Sequence, residues 1–204
     1  MMRIVTRIEA GNRGEDRATV DQAGERMIIV VADGAGGTGR GGEAAQMVCD
    51  LALASFRRGA MSADAWSARL SAIDAELFRS GEGGQSTAVV LEVDDDMVRG
   101  ASVGDSAAWA IDSLGFVDLT DNQNRKPLLG TGEATPVAIG PTPVPERLLV
   151  ATDGLMKYCP HADIDRIALG GTLEEAIDAL VSRVRLRSGG FQDDLAIVLC
   201  DGAG

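Results

Sequence analysis

The chain is poor in several residue types, and each shortage excludes something. Of 204 residues only three are cysteine, Cys49, Cys159 and Cys200, and they are widely scattered. That rules out a disulfide scaffold, and the odd count points to a reducing compartment. Aromatic residues make up 3% of the chain, too few for the stacking platforms that hold single-stranded nucleic acid. No run approaches the roughly eighteen apolar residues of a membrane span. The opening MMRIVTRIEAGNRGED has no apolar stretch of the signal-peptide kind, so the expected location is cytoplasmic. Basic charge is also short: 19 Lys and Arg stand against 31 Asp and Glu, a net charge of −12. A surface that acidic repels phosphate backbones and attracts cations, so neither nucleic acid nor a membrane is an expected partner. There is one histidine, His161, and no G-x-S-x-G elbow, which argues against a Ser-His-Asp triad. Cys159 and His161 together are too few ligands for a zinc site.

What remains is an ordinary globular composition, 45% hydrophobic and 25% charged, read as one domain over residues 1–204. Short β-branched runs predict strands at Arg3–Ile8, Arg17–Val20, Met27–Ala32, Ser86–Val93, Val98–Val103, Ala107–Ile111, Phe116–Leu119, Arg147–Ala151 and Leu195–Cys200. Helical spacing predicts helices over Glu43–Arg58 and over Ser62–Arg79 with Ser62 as N-cap. Thr172, three residues before Glu175, forms a capping-box signature that opens a last helix. Its trailing Arg183, Arg185 and Arg187 are expected to complement the negative helix end. The region from Asp121 to Pro145 loses periodicity and gains prolines, so it reads as a loop or distorted connector. Strands massed between an early and a late group of helices indicate an α+β fold rather than a doubly wound parallel sheet.

The aspartates carry the functional signal. Three apolar strands stop at an aspartate beside a small residue, Asp33 in VVADG, Asp105 in SVGDS and Asp153 in VATDG. Two others begin just after one, with Asp16 before Arg17 and Asp193 before Leu195. In antiparallel sheets the start of one strand lies beside the end of its neighbour, so all five carboxylates can share one edge. Like charges gathered in one place favour protonation or the capture of cations. Oxygen-only ligands select hard ions such as Mg²⁺, Mn²⁺ or Ca²⁺. Paired ions of this type suit phosphate-ester hydrolysis. Asp-Gly is also a common turn dipeptide, so spacing by itself leaves a turn-only reading open. The glycines after Asp33 and Asp153 are expected to let the backbone turn sharply. Gly34–Gly39 fits G-x-G-x-x-G literally, but the residues that follow read as helix where a dinucleotide fold needs a second parallel strand, so nucleotide binding is not the expectation.

The stretches GNRGEDRATV, VVADGAGGTGRGGEAA, QSTAVVLEV, RGASVGDSAAWAI, RLLVATDGL and QDDLAIVLC occur in the order seen in the metal-dependent Ser/Thr protein phosphatases of type 2C, and the sequence resembles that family from Gly11 to Cys200. The resemblance implies a four-layer α-β-β-α sandwich of two antiparallel sheets flanked by helices. It implies hydrolysis of phosphoserine and phosphothreonine in proteins by a metal-activated water, at a centre of two or three Mn²⁺ or Mg²⁺ ions, in a monomer. Carried over, Asp33, Asp153 and Asp193 are the catalytic metal ligands, Asp16 and the Gly34 carbonyl join them, Asp105 pairs with Asp153 at a third ion, and Arg13 is the candidate phosphate-binding residue. The alternatives are a catalytically silent phosphoprotein-binding module of the same fold and a small-molecule phosphatase.

The sequence departs from the family at several places. Ala35 replaces a histidine proposed as general acid in many eukaryotic members, and Gly14 replaces an asparagine. Arg13 is offset from the usual spacing, and Asp194 and Ala196 replace Asn and Thr. The 47 residues between Asp105 and Asp153 leave little room for the family's flap, so a reduced or missing flap and altered substrate recognition are expected.

Overall fold

The computed structural model describes residues 2–11, 13–35, 39–81, 83–94 and 96–202. Twelve strands and five helices are found among them. One sheet has the order β1 (Ile4–Glu9), β12 (Leu195–Asp201), β11 (Arg147–Ala151), β8 (Ala107–Asp112), β9 (Gly115–Asp118). The second has the order β10 (Val137–Pro143), β7 (Met97–Val103), β6 (Ala88–Asp94), β3 (Arg26–Ala32), β2 (Arg17–Ala23). All pairings are antiparallel, including the two-residue pair β4 (Gly34–Ala35) with β5 (Gln85–Ser86).

Three apolar clusters show how the layers stack. Ile29, Val31, Leu91, Leu148, Val150 and Val198 fill the space between the sheets. The alternate residues of the same strands, Ile28, Val30 and Val90, face α1 (Gly41–Phe56) and α2 (Ala63–Ser80). On the far side Leu149, Ile197 and Leu199 face α3 (Asp153–Met156), α4 (His161–Ala168) and α5 (Leu173–Val184). Central strands such as Arg26–Ala32 are apolar on both faces because each face is covered, the two-fold alternation assigning neighbours to different layers. The fold is therefore the α+β, four-layer α-β-β-α sandwich expected from the sequence.

The caps act as their residue types dictate. Ser62 Oγ accepts the Ala65 N–H at 3.2 Å, and α2 ends at Gly81 in the left-handed region, φ 69°. Thr172 Oγ1 accepts from Glu175 N at 3.2 Å while Glu175 Oε2 accepts from Thr172 N at 2.9 Å. Arg183 and Arg185 do more than complement a helix end. Arg183 ion-pairs with Asp163 of α4 at 2.9 Å, and Arg185 donates to the Gly189 carbonyl at 2.8 Å while lying over the Phe191 ring.

The structure corrects the reading of Asp121–Pro145 in part. Residues 119–136 are irregular, but Val137–Pro143 is a strand at the free edge of its sheet. Its prolines are tolerated because an edge strand can leave N–H positions unpaired, and a register shift between Ile139 and Thr142 takes up Gly140–Pro141. The irregular part is tied down. Asp74, buried in the middle of α2, accepts the N–H groups of Gly130, Gly132 and Ala134 at 2.7, 2.9 and 3.0 Å. Leu129 and Ser86 exchange backbone hydrogen bonds of 3.0 Å in both directions. No helix lies between Asp118 and Val137.

Candidate metal and phosphate site

The topology delivers the five aspartates to one end of the sandwich. β3, β7 and β11 run out at Asp33, at Gly104–Asp105 and at Thr152–Asp153, while β2 and β12 start after Asp16 and Asp194. The Arg17–Ala32 pairing sets Asp16 beside Asp33 within one sheet. In the other sheet Thr152 N donates to Ala196 O at 3.0 Å, which puts Asp153 next to the start of β12. Asp33 and Asp105 leave one sheet and Asp153 the other, yet one carboxylate oxygen from each lies within 4.8 Å of the other two.

The remaining sequence candidates surround this trio. The Asp16 carboxyl is buried in the company of Thr152, Asp33, Asp153 and Asp194, and its Oδ2 has no partner among the described residues. Asp193, Gly34 and Arg13 line a cavity of about 280 Å³ together with Asp33, Glu15, Gln192 and Asp194. Asp193 lies outside the tight trio, although its charge is felt at Asp153. Arg13 reaches Glu15 at 3.6 Å, with its side chain largely in solvent at the rim. The residues Gly36, Gly37 and Thr38 of the glycine loop lie outside the described residues.

Electrostatics follow from the crowding. Burial first, then the Asp16, Asp153 and Asp105 charges, push the Asp33 carboxyl up to about 8. Burial likewise raises Asp16 to about 7, against the opposing hydrogen bond from Thr152. Asp153 is also raised by burial, with the Lys157 ammonium working against that rise through an ion pair. Asp33, Asp105 and Asp153, with the orphaned buried Oδ2 of Asp16 next to Asp33, form an all-oxygen set that suits a hard divalent ion.

Several supporting residues were not legible beforehand. Asp194 accepts the N–H groups of Gly11 and Glu15 at 2.7 Å each and of Arg13 at 3.3 Å, closing the bend that presents Glu15 and Asp16. Burial opposes its charge, but these donors and Gly14 N–H hold the carboxyl below its ordinary range. Thr87 fixes Asp33, exchanging Asp33 N→Thr87 Oγ1 and Thr87 N→Asp33 O contacts of 2.9 Å. Ser106 Oγ lies 2.7 Å from Thr87 Oγ1. Gly34 and Gly154 serve close approach rather than the sharp turn expected. Neither has a positive φ, and a Cβ would overlap Gly41 backbone in the first case and the Asp194 carbonyl oxygen in the second. Gly104 does take the left-handed side, φ 110°, just before Asp105. A second cavity, about 210 Å³, opens beside Asp105 and Asp153 and is walled by Trp109, Gln123, Arg125, Lys157 and His161. His161 is exposed at the start of α4, edge-on to the Trp109 ring at 4.8 Å.

The family model described as Protein phosphatase 2C matches residues 5–200, a span that takes in every aspartate described above. The chain belongs to the protein phosphatase 2C family. This phosphatase is similar in fold to solved bacterial enzymes. A bacterial serine phosphatase is 22% identical, with 100% of this chain and 99% of that one covered and a TM-score of 0.87. Serine/threonine phosphatase Stp1 from Staphylococcus aureus is 20% identical, covering 100% and 96% of the two chains, with a TM-score of 0.84. The catalytic domain of PstP, solved in complex with two manganese ions, is 21% identical over 98% and 97% of the chains at a TM-score of 0.81. No curated protein matches the chain in sequence.

Proposed function

We propose that residues 1–204 act as one domain that hydrolyses phosphoserine and phosphothreonine esters in proteins, at a divalent-metal centre built on Asp33, Asp153 and Asp193. The observation that carries this reading is the meeting of Asp33, Asp105 and Asp153 oxygens within 4.8 Å from three strand ends in two sheets. Family membership and the manganese found in PstP support it. Asp33 and Asp153, with Asp193 and the Gly34 carbonyl alongside, would hold Mn²⁺ or Mg²⁺, and Asp16 and Asp105 would extend the set. Bound ions of this kind supply a nucleophilic water at neutral pH and neutralise charge on the phosphoryl oxygens.

The protein's own groups do the rest. Thr87 holds the Asp33 backbone through its hydroxyl and its N–H, and Thr152 ties the start of Asp153 to β12 through Ala196. Asp194 holds the bend from Gly11 to Glu15, and with it the Arg13 guanidinium at the rim of the cavity that Asp33 and Asp193 share. A guanidinium there can grip two phosphate oxygens at once. With Ala35 offering no proton, the leaving alkoxide takes its proton from solvent in the open cavity.

The test is phosphate release from a phosphothreonine peptide and from p-nitrophenyl phosphate with Mn²⁺, wild type against Asp33→Asn. Residues behind a metal ligand are already worth roughly 10–100-fold, so removing this ligand should lower kcat/KM by more than about 100-fold. Equal rates would reject the proposal, and turnover of the small ester without any of the peptide would redirect it to small-molecule substrates.

A further inference from the structure

We infer that the Lys157 ammonium is a built-in cation for the corner formed by Asp105 and Asp153, and that it lowers by one the number of divalent ions the centre takes up. The inference rests on the reading of these aspartates as a metal centre. Asp153 opens the four-residue helix α3, and Lys157 follows one turn later. The backbone fixes that relation, since Lys157 N donates to Asp153 O at 2.8 Å and Cys159 N to Leu155 O at 2.9 Å. One helical turn is the distance at which an acid and a base meet on the same face. Lys157 Nζ accordingly pairs with Asp153 Oδ2.

The same ammonium lies in the fields of Asp105 and Asp193. Lys157, Asp105 and Asp153 also line one cavity, so the ammonium and any ion bridging the two carboxylates compete for the same space. Two other acids line that cavity, Asp118 and Asp121. Asp118 Oδ1 accepts from both the N–H and the hydroxyl of Thr120 at 2.8 and 2.5 Å, and Asp121 is exposed to solvent, so the lysine pairs with Asp153. Arg125, which lines the same cavity, is exposed and adds positive charge to the approach. Two like charges at one pair of carboxylates repel strongly at short range in a partly buried setting. A fixed ammonium therefore neutralises the corner permanently, where a bound ion would do so only at sufficient concentration. The charges that act most on Asp33 are the carboxylates Asp16, Asp153 and Asp105, so that corner is left for metal.

Isothermal titration of the metal-stripped protein with Mn²⁺ tests this without reference to turnover. Lys157→Met keeps the length of the side chain and removes the charge, and Lys157 is half-exposed, so folding is not at risk. The expected result is one additional Mn²⁺ per chain in Lys157→Met, with Lys157→Arg matching the wild type. A larger Mn²⁺-induced rise in melting temperature should accompany the extra ion. Equal stoichiometry and affinity in all three proteins would overturn the role of Lys157 and leave the metal centre standing. No Mn²⁺ uptake by any of them would overturn both.

Discussion

At the scale of single residues, the site is a problem of charge placed where water is scarce. Asp33 and Asp16 have carboxyls raised to about 8 and about 7 from an ordinary 3.8, burial being the first cause in each. Without metal, the folded protein then binds more protons than the unfolded chain between the ordinary and the raised values. Stability falls as pH rises wherever the folded state holds the extra protons. These two carboxyls should therefore make the metal-free protein melt progressively lower as pH rises from roughly 4 towards roughly 8, and Mn²⁺ added at the upper end should recover the loss by binding the folded state. A melting temperature independent of pH over that window would contradict the crowding described for these carboxyls. Asp194 is the second residue that matters. With Asp194→Ala the bend from Gly11 to Glu15 loses its acceptor, and Mn²⁺ affinity should drop roughly 10–100-fold while the far side of the molecule is unchanged. Titration of that variant beside wild type checks it.

At the scale of elements, the strands were readable because their chemistry is local. Met27–Ala32 announces itself by an unbroken apolar run rich in Ile and Val, and the Thr172 to Glu175 capping box by side chains that satisfy each other's backbone. The convergence of Asp16, Asp33, Asp105 and Asp153 was readable for the same reason, since antiparallel pairing fixes where strand ends lie. Val137–Pro143 was not, because prolines that forbid a central strand are harmless at a free edge, and only the sheet order reveals the edge. The role of Asp194 was hidden too. An acid that caps three amides 179 to 183 residues away leaves no mark in its neighbours. Asp74 is a similar case, and it carries a prediction. Replacing it by alanine strips three part-buried N–H groups of the 119–136 connector of their acceptor, a net loss of about 0.5–1.5 kcal/mol for each hydrogen bond. Asp74→Ala should lower the urea midpoint and increase amide exchange at Gly130, Gly132 and Ala134 before it affects β3 or β12.

At the scale of the whole molecule, a net charge of −12 surrounds the site proposed to receive a phosphate dianion. Long-range repulsion of this kind is screened within about 8–10 Å at ordinary salt, so it acts on encounter more than on the bound state. Phosphopeptides flanked by Lys or Arg should show a lower KM than those flanked by Asp or Glu. Raising the salt should narrow the difference from both sides, which steady-state kinetics at two ionic strengths would show. The same scale explains why the centre needs the complete sandwich. Asp33 and Asp105 belong to one sheet and Asp153 to the other, so only the packed interface of Ile29, Val31, Leu148 and Val198 brings them together. Anomalous scattering from crystals soaked in Mn²⁺ measures that claim most directly. The account predicts a manganese peak bonded to Asp33 at the Asp33–Asp153 end of the sandwich, lost in Asp33→Asn; manganese found only elsewhere on the acidic surface, with Asp33 and Asp153 bare, would contradict it.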